Sequence, residues 1–391
     1  MENKEYLKGV VTGIVAAACV GVGGFLGYQF FWQSGDRALN TYSKSKIEFI
    51  EDLVEKNYLN EADADDMEEG LYAGLIAGLG DTYSRYYTAE QYEEITKEND
   101  GAYVGIGVVL QQNEDGTAEV VECYKGAPGE MAGIQPGDIF VAVNGTEIFG
   151  MELTDVVHMI QETEGDSVDL LIQREGEAEN LSLSVQIRDV EMQYVFSEMY
   201  NEEIGYISIT EFSGVTYKQY TEAFEALKEE GMQKLIVDLR GNPGGLYTSV
   251  CDILDDILPE GLIVYTEDKY GNREETTSDS EAPLAIEMAV LVNGSSASAS
   301  EIFAGAIQDY GVGTIVGTTT YGKGVVQSLY QLEDGSAVKL TVSKYYTPNG
   351  NSIHEVGIQP DVVVELEDTD ITENKWDNQV EAAAETLTSK E

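Results

Sequence analysis

The chain has 391 residues, of which 42% are apolar, so it is long enough to form two or three domains with separate cores. Its 22 basic and 72 acidic side chains give a formal charge of -50, which would repel phosphate backbones over the whole surface. Composition therefore excludes nucleic acid as a partner and disfavours anionic substrates.

The first predicted element is an apolar segment from Gly9 to Phe31, whose only ionisable side chains are Cys19 and Tyr28. At about 1.5 Å per residue it can cross a hydrocarbon core of roughly 30 Å. A cleaved signal peptide is the alternative, but the apolar run continues well past Cys19, which favours an anchor. We predict that residues 1–35 form a cytoplasmic tip and a single-pass plasma-membrane anchor, with the remainder of the chain extracytoplasmic.

Residues 36–99 are predicted to form a helical region. Apolar residues recur at helical spacing from Ile47 to Tyr58, which predicts an amphipathic helix over 44–58, and a second helix is expected from Met67 to Leu79. The apolar faces of these helices and of the C-terminal segment Trp376 to Leu387 leave a homo-oligomer possible.

From about Gly101 the pattern changes to short strands separated by glycine turns. The motifs are, in order, a strand opened by Gly105-Ile106-Gly107-Val108, the turn Ala132 to Ile139, Val143-Asn144-Gly145, a helix over Thr154 to Thr163 and a strand over Val168 to Arg174. This order resembles a PDZ domain and covers residues 100–187.

A PDZ domain is suited to binding peptide ends. Successive N–H groups of Gly105, Ile106 and Gly107 can hold a carboxylate, while the strand edge accepts an extended peptide. Lys125 and Arg174 are the only cations between Gly101 and Ile187, so either could assist, although Arg174 could equally offset acidic neighbours. His158 could contact the peptide or could be an exposed helix residue without a function.

Residues 188–391 are predicted to form an α/β core with a C-terminal segment. A buried-type strand over Leu235 to Leu239 leads into the glycine loop 241–245 and a helix near 247–257. A second strand over 289–292 leads into a serine cluster and a helix from about 298 to 309. Of the three cysteines, Cys123 and Cys251 could form a disulfide bridge, and the sequence does not decide whether they do.

The chain has two histidines, His158 and His354, so a serine hydrolase here would need a lysine as its base. A serine at a helix start lies where unpaired amides stabilise negative charge, and the glycine loop can add a second donor. Lys323 could act as a base if burial lowers its pKa. In a strand, Gln327 would lie on the same face as Lys323, because their separation is even, and could orient the amine. Spacing alone leaves open which serine is the nucleophile.

Ordered motifs over residues 45–390 resemble the carboxyl-terminal processing proteases. They are Gly78 to Tyr87, the PDZ segment, Asp238 to Gly245, Ser296 to Glu301, Tyr321 to Gln327, Tyr346 to Gly350 and Gly357 to Asp361. The resemblance implies a crotonase/ClpP-like α/β core with an inserted PDZ domain. It also implies that Ser298 is the nucleophile, Lys323 the general base and Gln327 its orienting partner, with the amides of Gly244 and Ala299 as oxyanion donors.

The sequence thus predicts a membrane-anchored serine endopeptidase that needs no metal or organic cofactor and cleaves extracytoplasmic proteins near exposed C-terminal tails. The resemblance further implies that peptide binding to the PDZ domain activates the site. A trypsin-like protease is disfavoured, because Pro243 stands where its Gly-Asn-Ser-Gly-Gly motif needs the nucleophile. The alternative outside enzymes is a membrane-tethered PDZ scaffold that binds peptides without cutting them.

Overall fold

The computed structural model describes residues 38–388 except 114, 164, 280–283, 285 and 368–375. The helices within this range are α1 (Thr41–Asn57), α2 (Ala64–Ala77), α3 (Ala89–Asp100), α4 (Pro128–Met131), α5 (Leu153–Gln161), α6 (Thr216–Glu229), α7 (Tyr247–Ile257), α8 (Ala299–Tyr310) and α9 (Asn378–Thr388).

The strands begin with those of the first half, which are β1 (Arg85–Tyr87), β2 (Ala102–Gly105), β3 (Val108–Gln112), β4 (Ala118–Cys123), β5 (Ile139–Val143), β6 (Thr146–Glu147), β7 (Ser167–Gln173), β8 (Leu181–Gln186) and β9 (Arg188–Glu191). Those of the second half are β10 (Val195–Met199), β11 (Ile204–Ile209), β12 (Lys234–Asp238), β13 (Gly261–Asp268), β14 (Arg273–Ser278), β15 (Glu287–Val292), β16 (Gly313–Gly317), β17 (Val325–Gln331), β18 (Ala337–Tyr346) and β19 (Val362–Val363).

The described residues divide into two compact units, one ending at residue 75 and the other beginning at residue 76. The first contains α1 and most of α2, and both predicted helices are confirmed. The side chain of Asn40 begins α1 by accepting hydrogen bonds from the N–H groups of Tyr42 and Ser43. No described helix is both long and apolar enough to cross a membrane. The predicted anchor, Gly9 to Phe31, lies outside the described residues.

In the second unit, residues 102–191 form the predicted PDZ-type module. Its sheet has the order β3-β4-β5-β7-β8, with β6 on β5, and β2 pairs separately with β9. Alternate residues of β7 are buried, and α5 covers the same core through Val156 and Ile160. Cys123 and Cys251 are free thiols, so the possible bridge between them is not formed.

The α/β core is built on a sheet of order β10-β11-β12-β15-β16-β19, parallel except for β10. Side chains of β12 alternate between the two faces of the sheet. Leu235 and Val237 belong to the apolar core shared with α6, α7 and α8, whereas Ile236 belongs to the apolar core shared with α9. The mixed α/β prediction is confirmed. Because β12 and β15 are parallel neighbours, the loops that follow them meet at one edge of the sheet.

A second sheet has the order β1-β18-β13-β14, with β17 also paired to β18. It brings β17 and β18 beside the serine-bearing end of α8, where Tyr345 of β18 is buried in the same apolar core as Ala299 and Ile302. The two sheets therefore place the predicted serine and lysine at one location.

Candidate active site

The four clustered serines differ in what their hydroxyl groups do. Ser296 and Ser300 are fully buried, and their hydroxyl groups donate to the carbonyl oxygens of Leu239 (2.7 Å) and Asn242 (3.0 Å). Ser295 is exposed. Ser298 is half-buried and lines a cavity of about 560 Å³. Packing thus singles out Ser298, a choice that sequence spacing alone left open.

Ser298 has an unusual backbone conformation at the start of α8. Its φ of 56° and ψ of -113° lie outside the regions that serine normally occupies. Strain of this kind costs roughly 1–3 kcal/mol and persists only where surrounding contacts enforce it. The conformation places Ser298 next to the N–H of Ala299, the first residue of a helix whose positive end favours a developing oxyanion.

The glycine loop after β12 packs directly against Ser298. A Cβ atom on Gly244 would lie 2.7 Å from that of Ser298, so this position has no room for a side chain. The N–H of Gly244 donates to Oδ1 of Asn242 (2.8 Å), so the predicted oxyanion donor is held in an internal hydrogen bond. Gly245 lines the cavity beside Ser298. The donor role of Gly244 stays a prediction and requires its bond to Asn242 to open.

Lys323 also lines this cavity, but it lies in the loop before β17 and not in the strand. A β-bulge between Val326 and Gln327 also shifts the register of β17. The predicted reason for the placement of Lys323 and Gln327, an even separation along one strand, is therefore wrong. Lys323, from the loop, and Gln327, from the strand, nevertheless line the same cavity.

The electrostatic surroundings of Lys323 suit a base. Burial lowers the pKa of its amine, the ammonium group of Lys339 lowers it further, and the carboxylate of Glu301 opposes the shift. The amine also lies 5.0 Å from the centroid of the Tyr83 ring, a contact that favours its charged form. The direction of the overall shift agrees with the predicted role.

The side-chain amide of Gln327 is hydrogen-bonded elsewhere than to the amine in this structure. Its side-chain amide donates to the carbonyl oxygen of Val325 (3.2 Å) and to the hydroxyl of Thr341 (3.5 Å). In the described part of the chain no hydrogen bond joins Gln327 to Lys323. The orienting role of Gln327 stays a prediction.

Glu301 is a residue of the site to which the sequence analysis assigned no role. It is fully buried, and one carboxylate oxygen accepts from the N–H groups of Ser298 and Lys323, both at 2.8 Å. The other accepts from the hydroxyl of Thr320 (2.6 Å) and the N–H of Gly322 (2.7 Å). The Ser-x-x-Glu spacing at the start of a helix, a capping-box pattern, was the signal that could have revealed it.

Tyr345 completes the contact between the two loops. Its hydroxyl donates to the carbonyl oxygen of Lys323, and its ring is buried. Burial raises the pKa of Tyr345 well above its usual range, Glu301 adds to the rise, and a hydrogen bond with the Ser298 side chain opposes it. The hydroxyl thus stays protonated between the serine and the lysine loop.

Comparison with known proteins agrees with this geometry. The family model of peptidase family S41 matches residues 203–364, and that of the PDZ domain matches residues 119–174. The chain is 35% identical over 364 residues to the carboxy-terminal processing protease CtpA of Bacillus subtilis (strain 168). The matched region covers 92% of this chain and 76% of that protein. The chain belongs to peptidase family S41.

Other relatives of this S41 peptidase support the same conclusion. A probable CtpA-like serine protease of Staphylococcus aureus (strain COL) is 32% identical over 373 residues, or 93% of this chain and 73% of that protein. The crystal structure of a putative S41 protease from Bacteroides fragilis NCTC 9343 shares the fold, with a TM-score of 0.52, 18% identity and coverage of 85% and 91%. The predicted family, the PDZ domain and the serine peptidase class are confirmed.

The PDZ groove of this S41 peptidase is narrow. A cavity of about 40 Å³ between β3 and α5 is lined by Tyr103, Gly105, Ile106 and Val157, among others. Burial raises the pKa of Tyr103 to about 12, Tyr124 adds to the rise, and a hydrogen bond from the backbone of Gly107 opposes it. Of the three predicted carboxylate-binding residues, Gly105 and Ile106 line the groove, and the Tyr103 side chain lies beside them.

Two other polar residues of the module are elsewhere. Arg174 forms an ion pair with the buried Asp138 (2.7 Å) and donates to the carbonyl oxygen of Gly133, which favours the interpretation that it offsets an acidic neighbour. His158 is exposed, whereas Val157 and Gln161 of the same helix line the groove. Neither Arg174 nor His158 lines the groove.

Proposed function

We propose that this S41 peptidase is a membrane-anchored endopeptidase that uses a Ser298–Lys323 dyad to cleave extracytoplasmic proteins near C-termini recognised by its PDZ domain. The observation that carries the dyad is the shared cavity. It contains a strained serine at a helix N-terminus and a lysine whose pKa burial lowers. The apolar run from Gly9 to Phe31 supports the anchor.

The chemistry follows from the properties of these groups. The neutral amine of Lys323 removes the hydroxyl proton of Ser298 as the serine oxygen bonds to the scissile carbonyl carbon. The carbonyl oxygen becomes an oxyanion, which the N–H of Ala299 and a glycine-loop amide stabilise. When the oxyanion collapses, the C–N bond breaks and the lysine ammonium gives its proton to the leaving amine. Water then hydrolyses the acyl-enzyme by the same steps.

The described arrangement fits a resting state that a substrate tail must activate. Gln327 faces Thr341, the N–H of Gly244 is bound to Asn242, and the amine of Lys323 lies over Tyr83. The groove that would receive the tail is nearly closed. We infer that tail binding shifts the protein from this arrangement to one in which the base and the oxyanion donors are free.

A fluorophosphonate probe on the full chain tests the nucleophile. We expect labelling in the wild type and in Ser295→Ala, a matched change at an exposed neighbouring serine, and none in Ser298→Ala. Lys323→Ala should remain folded by circular dichroism but should not cleave a tail-bearing protein substrate. Absence of wild-type labelling, with and without a tail peptide, would favour the PDZ scaffold.

A further inference from the structure

The catalytic cavity contains a cation that takes no part in the proposed base chemistry. The described residues that line it include two lysines, Lys323 and Lys339, and one carboxylate, Glu98. Glu98 is exposed, and its charge also adds to the rise that burial causes in the pKa of Glu211. Because Lys323 must be neutral to act as the base, Lys339 is the cation of the cavity whose role the proposed mechanism does not explain.

Lys339 belongs to a pair of cations on one face of the sheet. It lies directly opposite Arg85 in the antiparallel pairing of β1 and β18. The amine of Lys339 and the guanidinium carbon of Arg85 each lie 5.3 Å from the centroid of the Tyr87 ring, and Tyr87 itself lines the cavity. Like charges directly opposite each other destabilise a sheet, so a bound anion would stabilise this pairing.

No carboxylate of the described residues forms an ion pair with either side chain. The ring of Tyr87 stabilises both cations without neutralising them. Lys323 cannot serve as the counter-ion, because its amine is neutral when it acts as a base and positive otherwise. A carboxylate of a bound ligand would therefore meet two cations that no described carboxylate pairs with.

We propose that Lys339, assisted by Arg85, binds a carboxylate of the substrate peptide beside the scissile bond. This inference rests on the proposed peptidase function and specifies its substrate class. The overall negative charge repels acidic peptides at long range, whereas a cation in a partly buried cavity attracts a carboxylate at contact distance. The carboxylate belongs either to an acidic side chain or to the terminus of the peptide.

Cleavage kinetics of the full chain can separate these sources. The substrates are short peptides with Glu or Gln at each position near the cleaved bond, each made with a free or an amidated C-terminus. We expect kcat/KM to be about tenfold higher for Glu than for Gln at one position, and this ratio to fall to about one in Lys339→Met. If the C-terminus of the peptide is the ligand, Lys339→Met instead lowers the ratio of kcat/KM for the free-acid peptide to that for the amidated peptide.

Lys344→Met provides the matched control, because this exposed lysine lies on the same strand and does not line the cavity. It should retain the wild-type ratio. Ratios are compared at the high-pH plateau of each variant, since removing Lys339 also changes the titration of Lys323. Equal ratios in the wild type and in Lys339→Met for both peptide pairs would overturn the proposal.

A binding measurement keeps this test independent of catalysis. In Ser298→Ala, fluorescence anisotropy with amidated peptides compares the Kd for the Glu and Gln forms, and free-acid peptides of the same sequence test the terminus. A preference for the carboxylate that Lys339→Met removes supports the site even if the proposed dyad is wrong. No preference in Ser298→Ala for either carboxylate contradicts it.

Discussion

Ser298 illustrates how a single position can be specified by its neighbours and not by its own preference. Its backbone is strained, and the contacts that enforce the strain are a hydrogen bond from its own N–H to Glu301 and the close approach of Gly244. Strained residues supported in this way are concentrated at functional sites, because the strain fixes a reactive group in position. The site therefore depends on residues that carry no reactive group.

Replacement of Gly244 by alanine tests this dependence. Both Gly244 and Gly241 have positive φ values, 109° and 76°, but a Cβ atom at Gly241 meets nothing within 4 Å. Gly241→Ala should therefore lose about 1 kcal/mol of stability and keep normal reactivity towards a fluorophosphonate. Gly244→Ala should in addition displace Ser298 and lower the labelling rate at least tenfold. Equal labelling rates in the two variants would contradict the argument.

The lowered pKa of the Lys323 amine should make the protein active and, at the same time, less stable. Because its pKa in the folded state is lowered, the cost to folding is full below that pKa and disappears as pH rises towards the unfolded-state value. Lys323→Met should abolish cleavage and raise Tm by roughly 1–3 °C at neutral pH. This increase in Tm should become smaller near pH 10. Wild-type kcat/KM should rise with pH through the lowered pKa.

Differential scanning calorimetry between pH 6 and 10 measures the first effect. Lys344→Met, an exposed lysine change on β18, is the control and should give no pH-dependent difference. A Tm for Lys323→Met that stays at or below the wild-type value over this range would show that the buried amine does not weaken the fold.

At the scale of elements, the loop 322–324 is held on every side. Glu301 accepts from the N–H groups of Gly322 and Lys323, the N–H of Glu355 donates to the carbonyl oxygen of Gly322, and Tyr345 binds the carbonyl oxygens of Lys323 and Gly324. The turn 353–357 leaves no room for a side chain on Gly324, where a Cβ atom would lie 2.2 Å from the backbone nitrogen of His354. Helix α8, β18 and this turn therefore position one lysine together.

Glu301→Gln should loosen this assembly, because a side-chain amide cannot accept four hydrogen bonds and places an N–H₂ group against N–H donors. We expect a loss of about 2 kcal/mol or more of stability and a large loss of kcat. Since the Glu301 charge raises the pKa of Lys323, any residual activity should have its rising pH limb shifted to lower pH. Denaturant unfolding and a kcat/KM profile measure the two effects, and an unchanged pH limb would contradict the electrostatic part.

The elements were largely predictable because each has a clear local pattern. The helix predicted over 247–257 is found as α7, and the strand predicted over 235–239 is β12, displaced by one residue. The loops were less predictable, since their conformation depends on distant partners. The residue spacing predicted a strand at Lys323, because spacing cannot show that Glu301 and Tyr345 hold this residue in the loop before β17. It could not show the rotamer of Gln327 for the same reason.

At the scale of the whole molecule, the described arrangement separates recognition from chemistry. The PDZ groove is bounded by α5 and β3, whereas the catalytic cavity lies between the glycine loop, α8 and β17. The PDZ groove is narrow and lined by Tyr103, and beside the catalytic cavity the N–H of Gly244 is bound to Asn242. If tail binding opens both sites as proposed, folded proteins that lack a suitable tail are not cleaved.

This coupling predicts activation by a tail peptide added in trans. A non-cleavable peptide with a free C-terminus should raise kcat for a short reporter substrate severalfold in the wild type, because it binds the active arrangement preferentially. Val157→Arg fills the groove from an exposed position of α5, and it should abolish the stimulation. His158→Arg, on the adjacent exposed residue that does not line the groove, should keep it. Equal stimulation of all three proteins would show that the tail acts elsewhere.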